Sequence, residues 1–178
     1  MLGLMYRDGQ GVAQDYAEAA RWCRKAADQG DASAQSNLGC MYHIGQGVAQ
    51  DYVEAARWYR KAADQGDPSA QCNLGCMYHI GQEVAQDYVE AARWYRKAAD
   101  QGDASAQSNL GCMYETGCGV PRDYVRAHMW LNLAASRASG DHQQKFAQMR
   151  ESVAKKMTSQ QIAEAQRLAR EWKPKSAC

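Results

Sequence analysis

The chain has 178 residues, enough for one domain with a buried core, and its 21 Lys and Arg against 20 Asp and Glu leave a formal net charge of +1. Binding through nucleic-acid phosphates needs a basic excess or stripe, which is missing, and no apolar run reaches the roughly 18–20 residues that span a bilayer. One Phe beside ten Tyr and five Trp, abundant Ala, Gln, Arg and Lys, and only three Pro favour helix; with no runs of Val, Ile and Thr to mark strands, the predicted class is all-α.

Taken in order, the chain enters a pattern that then recurs. Gly3, Gly39, Gly75 and Gly111 are 36 residues apart, and so are Tyr6, Tyr42, Tyr78 and Tyr114, as well as Trp22, Trp58, Trp94 and Trp130. Residues 1–31 form a partial first unit: Leu2 corresponds to Leu38, and nothing before it matches Asp31–Asn37. This predicts an extension upstream in the natural product or its ancestor, and an apolar end suited to homo-oligomer contacts. Cys23 stands where later units carry Tyr59 and Tyr95, leaving the first unit a smaller core side chain.

The second unit, 32–67, and the third, 68–103, differ only at Ala32/Pro68, Ser36/Cys72 and Gly47/Glu83, as recent duplication would leave them. Each reads as two helices. Asp67 before Pro68 is an N-cap with proline at the first helical position, and Asp31 and Asp103 cap the equivalent helices. Helix A carries Ala70, Leu74 and Tyr78 on one face and stops near Gly81. After the loop Gly45–Gln50, Asp51 with Glu54 forms a variant capping box opening helix B, which buries Ala55, Tyr59 and Ala62 and ends at Gly66. Glu83 replaces the second loop glycine, so a left-handed requirement there would strain the third loop. The fourth unit is 104–139. Beyond residue 140 the repeat dissolves into two capping helices, over 141–178: Asp141 to about Lys156 with Phe146, Met149 and Val153 on one face, then a helix opened by the capping box Thr158/Gln161 with the stripe Ile162, Ala165, Leu168 and Ala169.

Ala34, Leu38-Gly39, Tyr42, Gly45, Gly47-Val48, Asp51, Ala55, Trp58-Tyr59, Ala62-Ala63 and Gly66, recurring at constant spacing through residues 1 to about 140, closely resemble the Sel-one-like repeat (SLR), a longer-looped relative of the tetratricopeptide repeat. The resemblance implies an α-solenoid: a right-handed superhelix of helix-turn-helix units whose A helices line a concave groove, closed by the C-terminal capping hairpin. It also implies a protein-interaction scaffold or adaptor rather than an enzyme, and a bacterial periplasmic or secreted setting. The cysteines, odd in number, favour a reducing interior instead, so the compartment stays open.

By that geometry the groove should present Ser36, Asn37, Cys40, His43 and Ile44, then Cys72, Asn73, Cys76, His79 and Ile80, then Ser108, Asn109, Cys112, Glu115 and Thr116. An Asn amide both donates and accepts, so a row of them can clamp an extended peptide, although the same residues could simply bond neighbouring helices. Cys72, Cys76 and His79 are spaced to share one helical face, as a zinc or soft-metal site needs; small apolar cysteines lining an interface account for them better, and no metal or other cofactor is expected. A Cys72–Cys76 disulfide is not expected within an intact helical turn.

An enzyme alternative comes from a cysteine-rich, secreted SLR subgroup linked to β-lactam binding or hydrolysis. Its hallmark cysteine pair falls at Ala63 and Ala70, and Ser152-Val153-Ala154-Lys155 spells Ser-x-x-Lys without the companion Ser-Asp-Asn and Lys-Thr-Gly elements. Arg57, Arg60 and Lys61, with copies at Arg93, Arg96 and Lys97, read as a solvated face of mixed charge. Trp58 and Trp94 read as covers for the junction between units, or as a partly exposed ladder that anchors a partner.

Overall fold

The computed structural model describes residues 2–175, so Cys178 lies outside the described residues. These fold into ten helices without a strand: α1 (Leu2–Asp8), α2 (Tyr16–Asp28), α3 (Ala32–Ile44), α4 (Tyr52–Asp64), α5 (Pro68–Ile80), α6 (Tyr88–Gln101), α7 (Ala104–Thr116), α8 (Tyr124–Arg137), α9 (Gly140–Ala154) and α10 (Ser159–Glu171). The hairpins α1–α2, α3–α4, α5–α6 and α7–α8 stack in chain order through α2 on α3, α4 on α5 and α6 on α7, while α9 and α10 both pack on α8. That is a solenoid, in which each unit meets only its neighbours. Among the described residues, no helix is long and apolar enough to cross a membrane.

The helix starts follow the aspartates. Asp31, Asp67 and Asp103 accept from the backbone N–H three residues on, at 2.6, 2.7 and 2.7 Å, and Pro68 occupies the first turn of α5. Asp51 likewise accepts from Glu54 N, at 3.0 Å, but the reciprocal half of the expected box does not form: the Glu54 carboxylate turns out to Arg57 at 3.1 Å. Among the described residues, the full capping box forms only at Thr158 and Gln161. Gly45, Gly81 and Gly117 end the A helices in the left-handed conformation.

Packing is completed across units. Ala55, Tyr59, Ala62 and Ala63 of the second unit form one core cluster with Ala70, Leu74, Met77 and Trp94 of the third; Trp58 joins the cluster of the first and second units in the same way. Trp58 and Trp94 are therefore seam residues, 4% and 2% exposed, and not an open ladder for a partner. The Tyr59 and Tyr95 rings lie on Gly39 and Gly75, where even a methyl group would sit under 3 Å from the ring. In the first unit the smaller Cys23 contributes to lining a cavity of about 110 Å³ with Gly3, Asn37 and Cys40, as its size predicts.

The third loop carries the expected strain. Gly47 and Gly119 are left-handed, and a Cβ on either would lie about 2 Å from the carbonyl oxygen of Tyr16 or Tyr88. Glu83 holds the same left-handed φ, +56°, with a side chain in place, and is the sole non-glycine to do so among the described residues. Glu83→Gly should therefore stabilise the protein by about 1 kcal/mol, the left-handed penalty of a side chain less the extra chain entropy of glycine. A rise in melting temperature of roughly 2–4 °C is the expected reading, and an unchanged or lower value would show that the loop carries no strain.

Candidate functional site

The A helices α3, α5 and α7 carry the repeated polar positions, and α3 also packs directly on α5, which brings equivalent positions of adjacent units together along one surface. Asn37, Asn73 and Asn109 are half-buried, as are Cys76, Cys112, His43 and His79, while Cys40 is exposed. Ile44 and Ile80 at the helix ends are 54% and 59% exposed. This surface thus combines amide groups, thiols and apolar side chains, all in register.

Three expected groove residues are elsewhere. Ser36, Cys72 and Ser108 are buried, because this helix position faces the following unit: Ser108 Oγ meets Met149 of α9, and the Cys72 thiol is near Asp103, the cap of α7. Glu115 is also committed internally, through a 2.7 Å ion pair with Lys156 that ties the end of α7 to the cap. The His43 and His79 rings pack edge-on against Tyr52 and Tyr88 of their own hairpins, with centroids 5.2 Å apart, and Nδ1 of each is buried without a partner.

Cys72, Cys76 and His79 do not converge as a metal site would. Cys72 points into the seam, Cys76 accepts from Tyr95 Oη at 3.2 Å, and His79 covers Tyr88. Among the described residues, no three His, Cys, Asp or Glu side chains come together to hold a metal ion. The Ser-x-x-Lys pair is on the capping hairpin, with both Ser152 and Lys155 exposed, and Ala63 and Ala70 are buried in the α4–α5 seam.

Two sets of polar side chains escaped the sequence reading. Arg60 is not simply solvated: its guanidinium lies 5.6 Å from the Tyr78 ring and 5.5 Å from that of Trp94, and it donates to the Tyr78 hydroxyl. Arg24 repeats this with Tyr42 and Trp58, and Arg96 with Tyr114. Arg57 and Arg93, by contrast, are exposed and paired with Glu54 and Glu90. The second set is glutamine. Gln35, Gln71 and Gln107 each donate to a carbonyl near the end of the preceding B helix, and Gln65 and Gln101 donate in turn to Gln35 and Gln71. The signal for both sets was a fixed sequence offset, half a repeat from Arg60 to Tyr78 and slightly less than a repeat from Gln71 to Gln101.

Comparison with known proteins agrees with the repeat architecture. The family model described as Sel1 repeat matches residues 1–31, 32–67, 68–103 and 104–139. A solved structure of a protective antigen present in uropathogenic Escherichia coli strains, displaying an SLR fold, is 39% identical, with a TM-score of 0.87 over 96% of this chain and 36% of that one. A Sel1 repeat protein from Oxalobacter formigenes is 33% identical, with a TM-score of 0.71 over 89% of this chain and 72% of that one. The chain thus spans about a third of the length of the first of these. No curated protein matches it.

Proposed function

The chain belongs to the Sel1 repeat family, and on that premise we propose that its A-helix surface receives an extended peptide or a partner segment. Proteins of this family are generally protein-interaction scaffolds and generally not enzymes. The observation that carries the finer reading is the row of half-buried amides at Asn37, Asn73 and Asn109, one per unit, beside the exposed Ile44 and Ile80. A peptide backbone offers donors and acceptors that an amide can satisfy together, and alternate apolar side chains of the guest find the isoleucines. Most of these groups are fixed on rigid helices, so little ordering entropy opposes binding.

The test starts with a protein captured from the source cells, whose affinity is then measured by titration. Asn37→Ala combined with Asn73→Ala should weaken binding about tenfold or more, the scale of two lost hydrogen bonds. Arg57→Ala with Arg93→Ala, on the outward face of the B helices, should leave it unchanged. Full affinity in the asparagine variant would overturn the reading.

A further inference from the structure

The position held by Cys40, Cys76 and Cys112 is one place in the repeat seen three times, with three different surroundings. In the fourth unit Leu131 replaces the tyrosine of the second and third, so Cys112 has no such hydroxyl, and burial pushes its thiol up, as does Glu115. Cys40 has Ser36 one turn before it on α3. Cys76 has a second thiol there, Cys72, and two further donors: Tyr95 Oη from α6 at 3.2 Å, and Asn109 Nδ2 from α7 at 3.8 Å. Two hydrogen-bond donors from two neighbouring helices, with a second thiol one turn before, thus surround one sulfur that remains half-exposed. The Ser36/Cys72 difference is one of only three that separate two otherwise identical units.

We propose that Cys76 is a covalent modification site, at which its sulfur forms a mixed disulfide with a low-molecular-weight disulfide. A sulfur surrounded by donors is stabilised as the anion, and the anion is the nucleophile. The thiolate pair attacks one sulfur of the disulfide. A new S–S bond forms to Cys76, the old one breaks, and the leaving thiolate takes up a proton from water. One protein thiol and one disulfide give one mixed disulfide and one free thiol, so the exchange needs no other oxidant.

The groups around the site oppose one another, and those that lower the thiol pKa prevail. The Cys72 hydrogen bond lowers Cys76 most and the Tyr95 hydroxyl adds to it, against burial and the nearby Asp103 carboxylate, bringing its pKa to about 6. Cys72 moves the opposite way, held protonated by donating to Cys76 and by burial. It is therefore a poor competitor for the incoming disulfide. The inference does not depend on peptide binding by the A helices.

The test exposes the full, reduced chain to glutathione disulfide at about pH 6.5, where an ordinary thiol is almost wholly protonated, and follows each cysteine by peptide mass spectrometry. Cys76 should be modified about tenfold faster than Cys40 and Cys112. Exposure alone predicts the reverse order, because Cys40 is the more open of the repeated thiols. Tyr95→Phe keeps the ring on Gly75 and removes one donor; Cys72→Ala removes the neighbouring thiol without putting a hydroxyl in its place. Each should slow Cys76 several-fold towards the rate of Cys40 and leave Cys40 itself unchanged. A Cys76 rate no greater than that of Cys40, or a lead that survives both substitutions, would overturn the proposal.

Discussion

Trp94→Ala should destabilise the protein by about 3–5 kcal/mol, whereas the same change at Trp22 should cost about 1 kcal/mol or less. The two residues occupy one position of the repeat, each with a lysine over its ring, Lys97 at 3.9 Å and Lys25 at 4.4 Å. What differs is the neighbour. Trp94 is 2% exposed because it packs into the core of the preceding unit, among Ala55, Tyr59, Ala62 and Ala63. Trp22 is only half-buried, in a first unit whose α1 leaves Leu2 and Leu4 exposed. Removing the Trp94 ring deletes the burial of a large aromatic side chain and leaves a cavity in a seam of small alanines that cannot collapse to fill it. Trp94→Phe should lose far less, because Nε1 of Trp94 is buried without a hydrogen-bond partner and gains nothing by being there. Urea unfolding followed by circular dichroism distinguishes the cases. Equal losses at Trp22 and Trp94 would mean that the tryptophan stabilises its own helix rather than the junction.

This dependence on the neighbour also explains which parts of the molecule were legible in the sequence. The caps at Asp31, Asp67 and Asp103, the left-handed glycines and the alternation of A and B helices are local, settled within one unit, and they could be read directly. So could the strain at Glu83, because the matching Gly47 displayed the requirement. Where an A-helix side chain points relative to the next unit was harder. Ser36, Cys72 and Ser108 were assigned to the open surface because a single helix shows only which residues share a face. Burial there is decided by α5, α7 and α9, whose approach depends on the whole stack. The ion pair of Glu115 was hidden for the same reason, since Lys156 reaches it from outside the repeat. Arg60 looked like a solvated charge because its aromatic partners come from the following unit, half a repeat and slightly less than a full repeat downstream.

Gln71→Leu should cost about 2–3 kcal/mol, the scale of two buried hydrogen bonds with a polar partner left short of one. Gln71 is 4% exposed; its amide donates to Ala63 O at 3.1 Å and its carbonyl accepts from Gln101 Nε2 at 2.9 Å. Ala63 is in the last turn of α4, where its carbonyl accepts from Gly66 N at 3.0 Å, and the side chain adds a second donor supplied by the next unit. Leucine fills a similar volume without either bond, and the loss measures the polar network rather than packing. Gln107 provides the natural control. It donates to Ala99 O in the same way, but its Oε1 is buried with no partner, because the residue that should donate to it is Arg137, which lies over Trp172 instead. Gln107→Leu removes one bond and also an unpaired acceptor, so it should cost about 1 kcal/mol less than the change at Gln71. A leucine register that packs as well as glutamine would make both changes nearly neutral. The difference between the two sites would then vanish, and the alignment of successive units would rest on the tryptophan seam alone.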